Sequence, residues 1–219
     1  MQTLRTRVVA AMVAGALMFA AAPAGAQAWH YAAMQPADVT PAEVNFIISG
    51  FGGDYGTSFV AQYRWAVEKR TQLWADIGLA SASGTTPFLI GIAGAWNFMK
   101  PSADKPIDVS GTLGVYGAFS SEVSLIRIPI GLNVGHTWKL SNGHDLQGFA
   151  FPRVSVDICS SKCSGTNANL NFDVGASYEI TPVMAGRAAF TFGAVGAGDT
   201  QSGFGVSLAF KTGGSSTTK

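Results

Sequence analysis

The chain has 219 residues, only 12% of them charged, and its formal net charge is +1. Soluble proteins average about 25% charged residues, and nucleic acid binds chains with a marked basic excess. These values disfavour a soluble domain and exclude nucleic acid as a partner. Glycine is abundant, with 27 residues, and no segment beyond the N-terminal region is a long unbroken apolar run. β-structure in contact with lipid is the class that these values favour.

Residues 1–26 have the features of a cleavable secretory signal peptide in the usual order. Arg5 and Arg7 precede an apolar stretch over 8–22, and Ala24 and Ala26 follow in an A-x-A pattern. The apolar stretch is shorter than the roughly 20 residues that a bilayer-spanning helix needs. We therefore expect the mature chain to begin near Gln27, outside the cytoplasm. Residues 27–43 show no clear periodicity and are predicted to form an N-terminal periplasmic extension.

From Val44 onward, apolar residues alternate with small or polar ones, which is the period of a strand with two different faces. Turn residues divide 44–211 into ten such runs. The runs are 44–51, 57–68, 72–82, 88–99, 107–119, 124–140, 146–158, 169–180, 184–195 and 202–211. Single-chain bacterial barrels have an even number of strands, and most of these runs reach the 9–11 residues that a tilted strand needs to span a bilayer.

The sequence therefore predicts an all-β fold, a closed antiparallel up-and-down transmembrane β-barrel over 44–211, followed by a polar tail over 212–219. Eight strands is the alternative, because the run 44–51 is short and Pro152 interrupts 146–158. A bulge is expected at Pro152, since proline cannot donate to the ladder. The stretch 159–168 between the seventh and eighth runs is predicted to be a surface loop.

The apolar face is predicted to contact lipid. The other face consists mainly of Gly, Ala, Ser and Asn, which suits a narrow lumen, whereas a soluble lipocalin-type barrel would carry many Lys and Glu there. The residues expected to face outward include Ile128, Ile130, Phe172, Val174, Val206 and Leu208, and those expected to face inward include Arg127, Asp173 and Ser207. With the N-terminus in the periplasm, one end of the barrel carries an aromatic belt of Trp65, Trp96, Trp138 and Tyr178.

Together these features resemble the small bacterial outer-membrane barrels of the OmpA/OmpX type. The resemblance covers roughly 44–211, and the final run over 203–210, GFGVSLAF, is similar to the terminal strand that the barrel-assembly machinery recognises. The family usually ends at that last aromatic, whereas here a polar tail follows Phe210. The resemblance implies an outer-membrane location, with membrane lipids including lipopolysaccharide and the assembly machinery as partners. We expect a monomer, and the resemblance implies no particular activity.

Charged residues of both signs fall on the predicted inner face. They are Arg64, Arg127, Arg153, Arg187, Glu68, Asp76, Asp108, Asp157, Asp173 and Glu179. Because an unpaired buried charge is costly, we expect ion pairs across the lumen, with Arg127 or Arg153 meeting Asp157 or Asp173. The alternative is a narrow water-filled pore, since small residues such as Gly91 line the same face. Ten strands lie between the eight that side chains can fill and the sixteen or more of open porins.

Two cysteines, Cys159 and Cys163, predict a local disulfide in an exported protein. A metal site would need further ligands, and none of the three histidines is close to them in sequence. Lipid A deacylases with a similar barrel carry a His-x-Ser-Asn motif, whereas His136 is followed by Thr137 and Trp138. We find no cofactor motif. The sequence thus favours a structural or envelope-integrity barrel without enzymatic activity, then a narrow diffusion pore, and distantly a lipid A-modifying enzyme.

Overall fold

The structure is a computed structural model that describes residues 36–40, 42–51, 56–81, 84–102, 104–161, 165–195 and 202–212. Within these ranges the chain forms ten strands. They are β1 (Ala42–Phe51), β2 (Thr57–Glu68), β3 (Thr71–Ser81), β4 (Phe88–Met99), β5 (Asp108–Phe119), β6 (Val123–Lys139), β7 (Asp145–Ser161), β8 (Gly165–Thr181), β9 (Met184–Val195) and β10 (Ser202–Lys211). Each strand pairs antiparallel with its neighbours in sequence, and β1 also pairs with β10, so the sheet closes. The predicted closed barrel is confirmed, and it has ten strands and not the alternative number of eight.

The alternation of the sequence sets the two faces of the barrel wall. In β8, Phe172 and Val174 are 44% and 39% exposed, whereas Asp173 between them is fully buried. In β10, Val206 and Leu208 are likewise exposed and Ser207 is buried. The apolar faces therefore point outward, as predicted. A slip of one residue would exchange the two faces of a strand, so the pattern also specifies the register.

We call the end of the barrel where β1 begins and β10 ends the N-terminal rim, and the other end the opposite rim. Three register shifts occur at the N-terminal rim, between Ala66 and Glu68, between Asn97 and Met99, and between Glu179 and Thr181. A bulge changes the facing of the residues that follow it. The inward placement predicted for Glu68 is accordingly wrong, since this side chain is exposed beyond the first of these shifts.

β7 and β8 are longer than the alternation predicts. The predicted loop over 159–168 is wrong, because Cys159 pairs with Gly165 and the strands continue to within three residues of one another. The bulge expected at Pro152 is also absent, and β7 keeps one register along β8. Pro152 faces outward, and the ladder to β6 is only interrupted between the pairs Gly131–Arg153 and Val134–Ala150. Proline removes a donor without requiring an inserted residue.

The N-terminal part of the barrel differs from the predicted boundaries. β1 begins at Ala42, so Glu43 belongs to the wall and not to the extension predicted over 27–43. Residues 36–40 lie at the N-terminal rim, where Pro36, Ala37 and Thr40 are buried. The predicted signal peptide, residues 27–35 and the tail over 213–219 lie outside the described residues. The described part contains no helix that is long and apolar enough to cross a membrane.

Candidate functional site

The barrel lumen gathers the buried charged side chains, and the cluster nearest the N-terminal rim is centred on Glu43. Arg187, on β9, donates to both oxygens of the Glu43 carboxylate at 2.6 Å. Arg64, on β2, approaches the same carboxylate at 3.4 Å and donates to Gln72 Oε1 at 2.7 Å. Glu43 and Arg64 are only 0% and 1% exposed. Two guanidinium groups therefore share one buried carboxylate, and charge-assisted bidentate contacts of this kind are the stronger ones.

Two further ion pairs link β6, β7 and β8. Arg153 donates to Asp173 from Nε at 2.7 Å and from Nη2 at 3.2 Å. Arg127 donates to Asp157 from Nε at 2.6 Å, and a second contact joins Nη2 to the other oxygen. The register places Arg127 directly opposite Asp157, and Asp173 two residues beyond the partner of Arg153. Both pairs are of the kind expected from the strand order, since long side chains reach direct and diagonal neighbours.

The three remaining acidic residues predicted to lie in the lumen differ in position. Asp76 is buried, and Asp108 is buried and accepts a hydrogen bond from Asn97 at 3.2 Å. Glu179 does not join the interior. Its carboxylate lies 3.4 Å from Lys211 Nζ at the N-terminal rim, where both side chains are partly exposed. Glu179 keeps the inward side of the alternation, between the exposed Tyr178 and Ile180, but it lies at the mouth of the barrel. A partly exposed pair of this kind contributes little to stability.

Aromatic rings fill the spaces above the luminal glycines. A Cβ at Gly91 would lie 2.1 Å from the ring of Tyr116, and one at Gly175 would lie 2.4 Å from the ring of Phe149. Trp74 is 2% exposed and donates from its indole nitrogen to the Tyr116 hydroxyl at 2.9 Å. Glycines that could have outlined an open channel instead leave room for rings from neighbouring strands. Close packing of large against small residues is typical of a filled interior.

A layer of buried apolar side chains lies in the lumen toward the opposite rim. Leu89, Ala118 and Leu125 are successive cross-strand partners on β4, β5 and β6, and each is at most 4% exposed. Cys159 on β7 is the next partner and packs against the same cluster. The sequence gives no separate signal for this layer, because Leu89 and Leu125 are single apolar residues on an inner face of mainly small ones.

The short segment 36–40 crosses the lumen at the N-terminal rim and is held by amide side chains of three strands. Gln72 of β3 donates to both the carbonyl and the hydroxyl oxygen of Thr40, at 2.9 and 2.8 Å. Asn97 of β4 donates to the Ala37 carbonyl at 3.3 Å, and Gln147 of β7 donates to Asp38 at 3.3 Å. Because these bonds reach β3 and β4 on one side and β7 on the other, this luminal segment lies across the charged interior at the N-terminal rim.

Sequence reasoning did not find Glu43 or the luminal segment 36–40, and the reasons differ. Glu43 continues the inward alternation of Asn45, Ile47 and Ser49, so extending β1 by one period would have found it. The luminal segment has no periodic signal, and its short contacts depend on where the barrel wall places Gln72, Asn97 and Gln147. No simple sequence pattern reports such contacts between distant strands.

The predicted belt residues lie on the outer surface, at the ends of β2, β4, β6 and β8 that form the N-terminal rim. Trp96, Trp138 and Tyr178 are 57%, 48% and 37% exposed, and Trp65 stacks on Tyr63 with ring centroids 5.5 Å apart. Cys159 lies near the end of β7, while Cys163 lies outside the described residues, so their pairing stays a prediction. Among the described residues no group of His, Cys, Asp or Glu is suited to a metal ion.

Comparison with known proteins finds similarity at the level of structure. No protein-family model matches the chain, and neither does a curated protein sequence. The β domain of the Bordetella autotransporter Brka is 10% identical, with a TM-score of 0.52 over 78% of this chain and 97% of that one. A bacterial polysaccharide outer membrane secretin is 13% identical, with a TM-score of 0.48 over 71% of this chain, which spans 56% of the secretin. The fold is thus that of an outer-membrane β-barrel.

Proposed function

We propose that the chain is an outer-membrane barrel with a closed lumen and a structural role in the envelope. In this proposal a signal peptide directs export, the barrel-assembly machinery inserts the chain, and lipids including lipopolysaccharide surround a monomer. A Cys159–Cys163 disulfide would close the hairpin between β7 and β8. In the described part of the opposite rim, the segments 84–87 and 120–122 offer little surface for capturing a ligand.

The burial of the luminal charges carries this proposal. In a water-filled channel, charged side chains on the inner wall would be accessible to water from the lumen. Here Asp173, Arg127 and Arg187 are 0%, 4% and 5% exposed. Burial of this degree differs from what charged side chains lining a water-filled channel would have, and the ion pairs compensate the loss of solvation. A side-chain-filled interior is the behaviour of small barrels.

Two layers at different heights support the same conclusion. The luminal segment 36–40 covers the N-terminal rim, and the apolar cluster around Leu125 lies toward the opposite rim. An apolar constriction opposes ion passage because it does not hold water. The narrow pore is therefore the less favoured reading, and catalysis gains no support from His136, whose ring packs against Trp138 with centroids 4.4 Å apart.

Single-channel recording in planar bilayers tests the closed lumen. Full-length mature protein is refolded in detergent, and insertion is established separately by flotation with liposomes and by heat-modifiable electrophoretic mobility. We expect inserted protein to give no current steps. Regular steps that scale with salt concentration would contradict the closed lumen and favour the diffusion pore. Protein that does not float with liposomes would contradict the membrane location itself.

A further inference from the structure

The outer surface of the barrel contains an apolar groove across β4, β5 and β6. Its volume is about 730 Å³, within the roughly 300–1,000 Å³ typical of small-molecule sites. Gly94 and Gly111 occupy outward positions on β4 and β5, opposite Leu113 and Leu132 on the next strands. These two positions carry no side chain of their own, and Leu73 packs beside Gly94 while the Phe98 ring edge packs beside Gly111.

The walls of the groove are among the most exposed apolar side chains of the described chain. Ile130, Leu113 and Trp96 are 60%, 58% and 57% exposed, and all three line the groove. If the barrel is inserted as proposed above, lipid chains surround these walls. The hydrophobic effect then gives no preference for the groove, because lipid tails are as apolar as the walls. Selective occupancy must come from shape and from the lipid headgroup.

A basic cluster lies at the N-terminal rim directly beside the groove. Arg70 precedes Thr71, which lines the groove and pairs with Trp96. The Arg70 carbonyl accepts a hydrogen bond from the backbone N–H of Asn97 at 2.8 Å, and Lys100 donates from Nζ to the Lys69 carbonyl at 2.8 Å. These bonds fix the β2–β3 turn against the end of β4 and hold the three cations near Trp96.

The charges around this end of the groove are unequal. Lys69, Arg70, Lys100 and Lys105 share this turn and loop with the carboxylates of Glu68 and Asp104, and all six side chains are exposed. The buried Asp108 at the start of β5 also interacts electrostatically with Lys100, so four cations stand against three carboxylates. The other described cations of this rim, Lys139 and Lys211, are paired with Asp145 and Glu179. In the described loops of the opposite rim, 84–87 and 120–122, Glu122 is the charged residue. Positive charge is therefore concentrated where the groove reaches the interface.

We propose that the groove and this basic cluster together bind one anionic phospholipid. Its phosphate lies beside Arg70 and Lys100, and one acyl chain lies in the groove between Trp96 and Ile130. Basic groups at a membrane interface attract anionic headgroups, and Trp96 stands at the interface where indole rings are favoured. The proposal rests on the membrane location argued above, which places this rim in the phospholipid leaflet.

Native mass spectrometry of the full mature chain tests this site. Protein is released from nanodiscs that contain equal amounts of dioleoyl phosphatidylglycerol and dioleoyl phosphatidylethanolamine, so the two lipids differ only in headgroup. We expect retained phosphatidylglycerol to exceed phosphatidylethanolamine several-fold. Arg70→Gln with Lys100→Gln should abolish this preference, whereas Lys139→Gln with Lys211→Gln at the same rim should preserve it.

Filling the groove provides the second arm of the experiment. Gly111→Leu adds a side chain whose Cβ would meet the ring edge of Phe98 at 3.1 Å, and the matched Gly50→Leu adds one where open space exists on β1. We expect Gly111→Leu alone to lose the bound lipid, with both variants still inserting into liposomes.

Several results would overturn the proposal. They are equal retention of the two lipids, unchanged retention by Gly111→Leu, preferential retention of added lipopolysaccharide, or a dimer that Gly111→Leu dissociates. Failure of the wild-type chain to insert into liposomes would instead refute the membrane location on which the proposal rests.

Discussion

Asp173 illustrates how the interior depends on single side chains. Its carboxylate is fully buried and accepts hydrogen bonds from two nitrogens of Arg153 and from the hydroxyl of Thr191. Arg153 is itself 7% exposed and lies over the Phe151 ring at 5.8 Å. Because neither charge can be solvated by bulk water, the stability of each depends on the other.

We expect Asp173→Ala to destabilise the barrel by about 3–5 kcal/mol, the usual cost of leaving a buried charge without its partner. Changing Arg153 to Met as well should recover part of that loss. Urea unfolding of the refolded protein in detergent measures both.

The matched control for this experiment is Ser155→Ala on the same face of β7. Ser155 is 0% exposed and its hydroxyl has no hydrogen-bond partner among the described residues, so removing it leaves no partner unsatisfied and should not destabilise the barrel. If Asp173→Ala costs no more than this control, the luminal charges are solvated and the lumen is open.

At the scale of elements, the luminal segment 36–40 differs from the strands in how it is held. A strand is bonded along its length by backbone ladders, whereas this segment depends on the side-chain amides of Gln72, Asn97 and Gln147. The bonds to Thr40 and Ala37 join neutral groups and contribute about 0.5–1.5 kcal/mol each, and the bond to the Asp38 carboxylate contributes about 1.5–3 kcal/mol. The segment is therefore the element most easily released without unfolding the wall.

Cysteine accessibility measures that release. In a background with Cys159→Ser and Cys163→Ser, we expect Ala37→Cys to react slowly with a maleimide, because Ala37 is 2% exposed. Alanine at Gln72, Asn97 and Gln147 together should accelerate labelling strongly. Ser102→Cys, on an exposed loop of the same rim, should react quickly in both backgrounds. Equal labelling of Ala37→Cys with and without the three amides would show that they do not hold the segment.

For the whole molecule, the question is which medium each face of the wall contacts. Trp96 and Trp74 make a suitable pair, because the first is 57% exposed on the outer surface and the second is 2% exposed in the lumen. Both lie in the half of the barrel near the N-terminal rim, on the adjacent strands β4 and β3. They differ mainly in whether lipid can reach the indole.

We expect brominated lipids to quench the fluorescence of a variant that retains only Trp96, with its other tryptophans changed to Phe. A variant that retains only Trp74 should be quenched little in the same vesicles. Strong quenching of Trp74 and weak quenching of Trp96 would mean that the apolar face does not contact the bilayer.

Much of the architecture could be predicted from the sequence, because strand alternation is a local property. The pattern around Asp173 alone specifies which side chains face inward, and cross-strand neighbours such as Arg127 and Asp157 follow once the strand order is known. Errors occurred where a local irregularity changed the facing, as at Glu68, or where proline suggested a bulge, as at Pro152.

Only the tertiary structure decided what each inward side chain contacts. Gly91 is compatible with an open channel in the sequence, and the pairing of β4 with β5 places the Tyr116 ring above it. Glu43 gains Arg187 as a partner because β1 pairs with β10, a contact between residues 144 positions apart in the chain. Alternation determines whether a residue faces inward or outward, whereas strand pairing and barrel closure determine which side chains it contacts. The sequence by itself therefore determined a barrel with its apolar side outward, and the three-dimensional arrangement of the strands decided which partners the inward side chains contact.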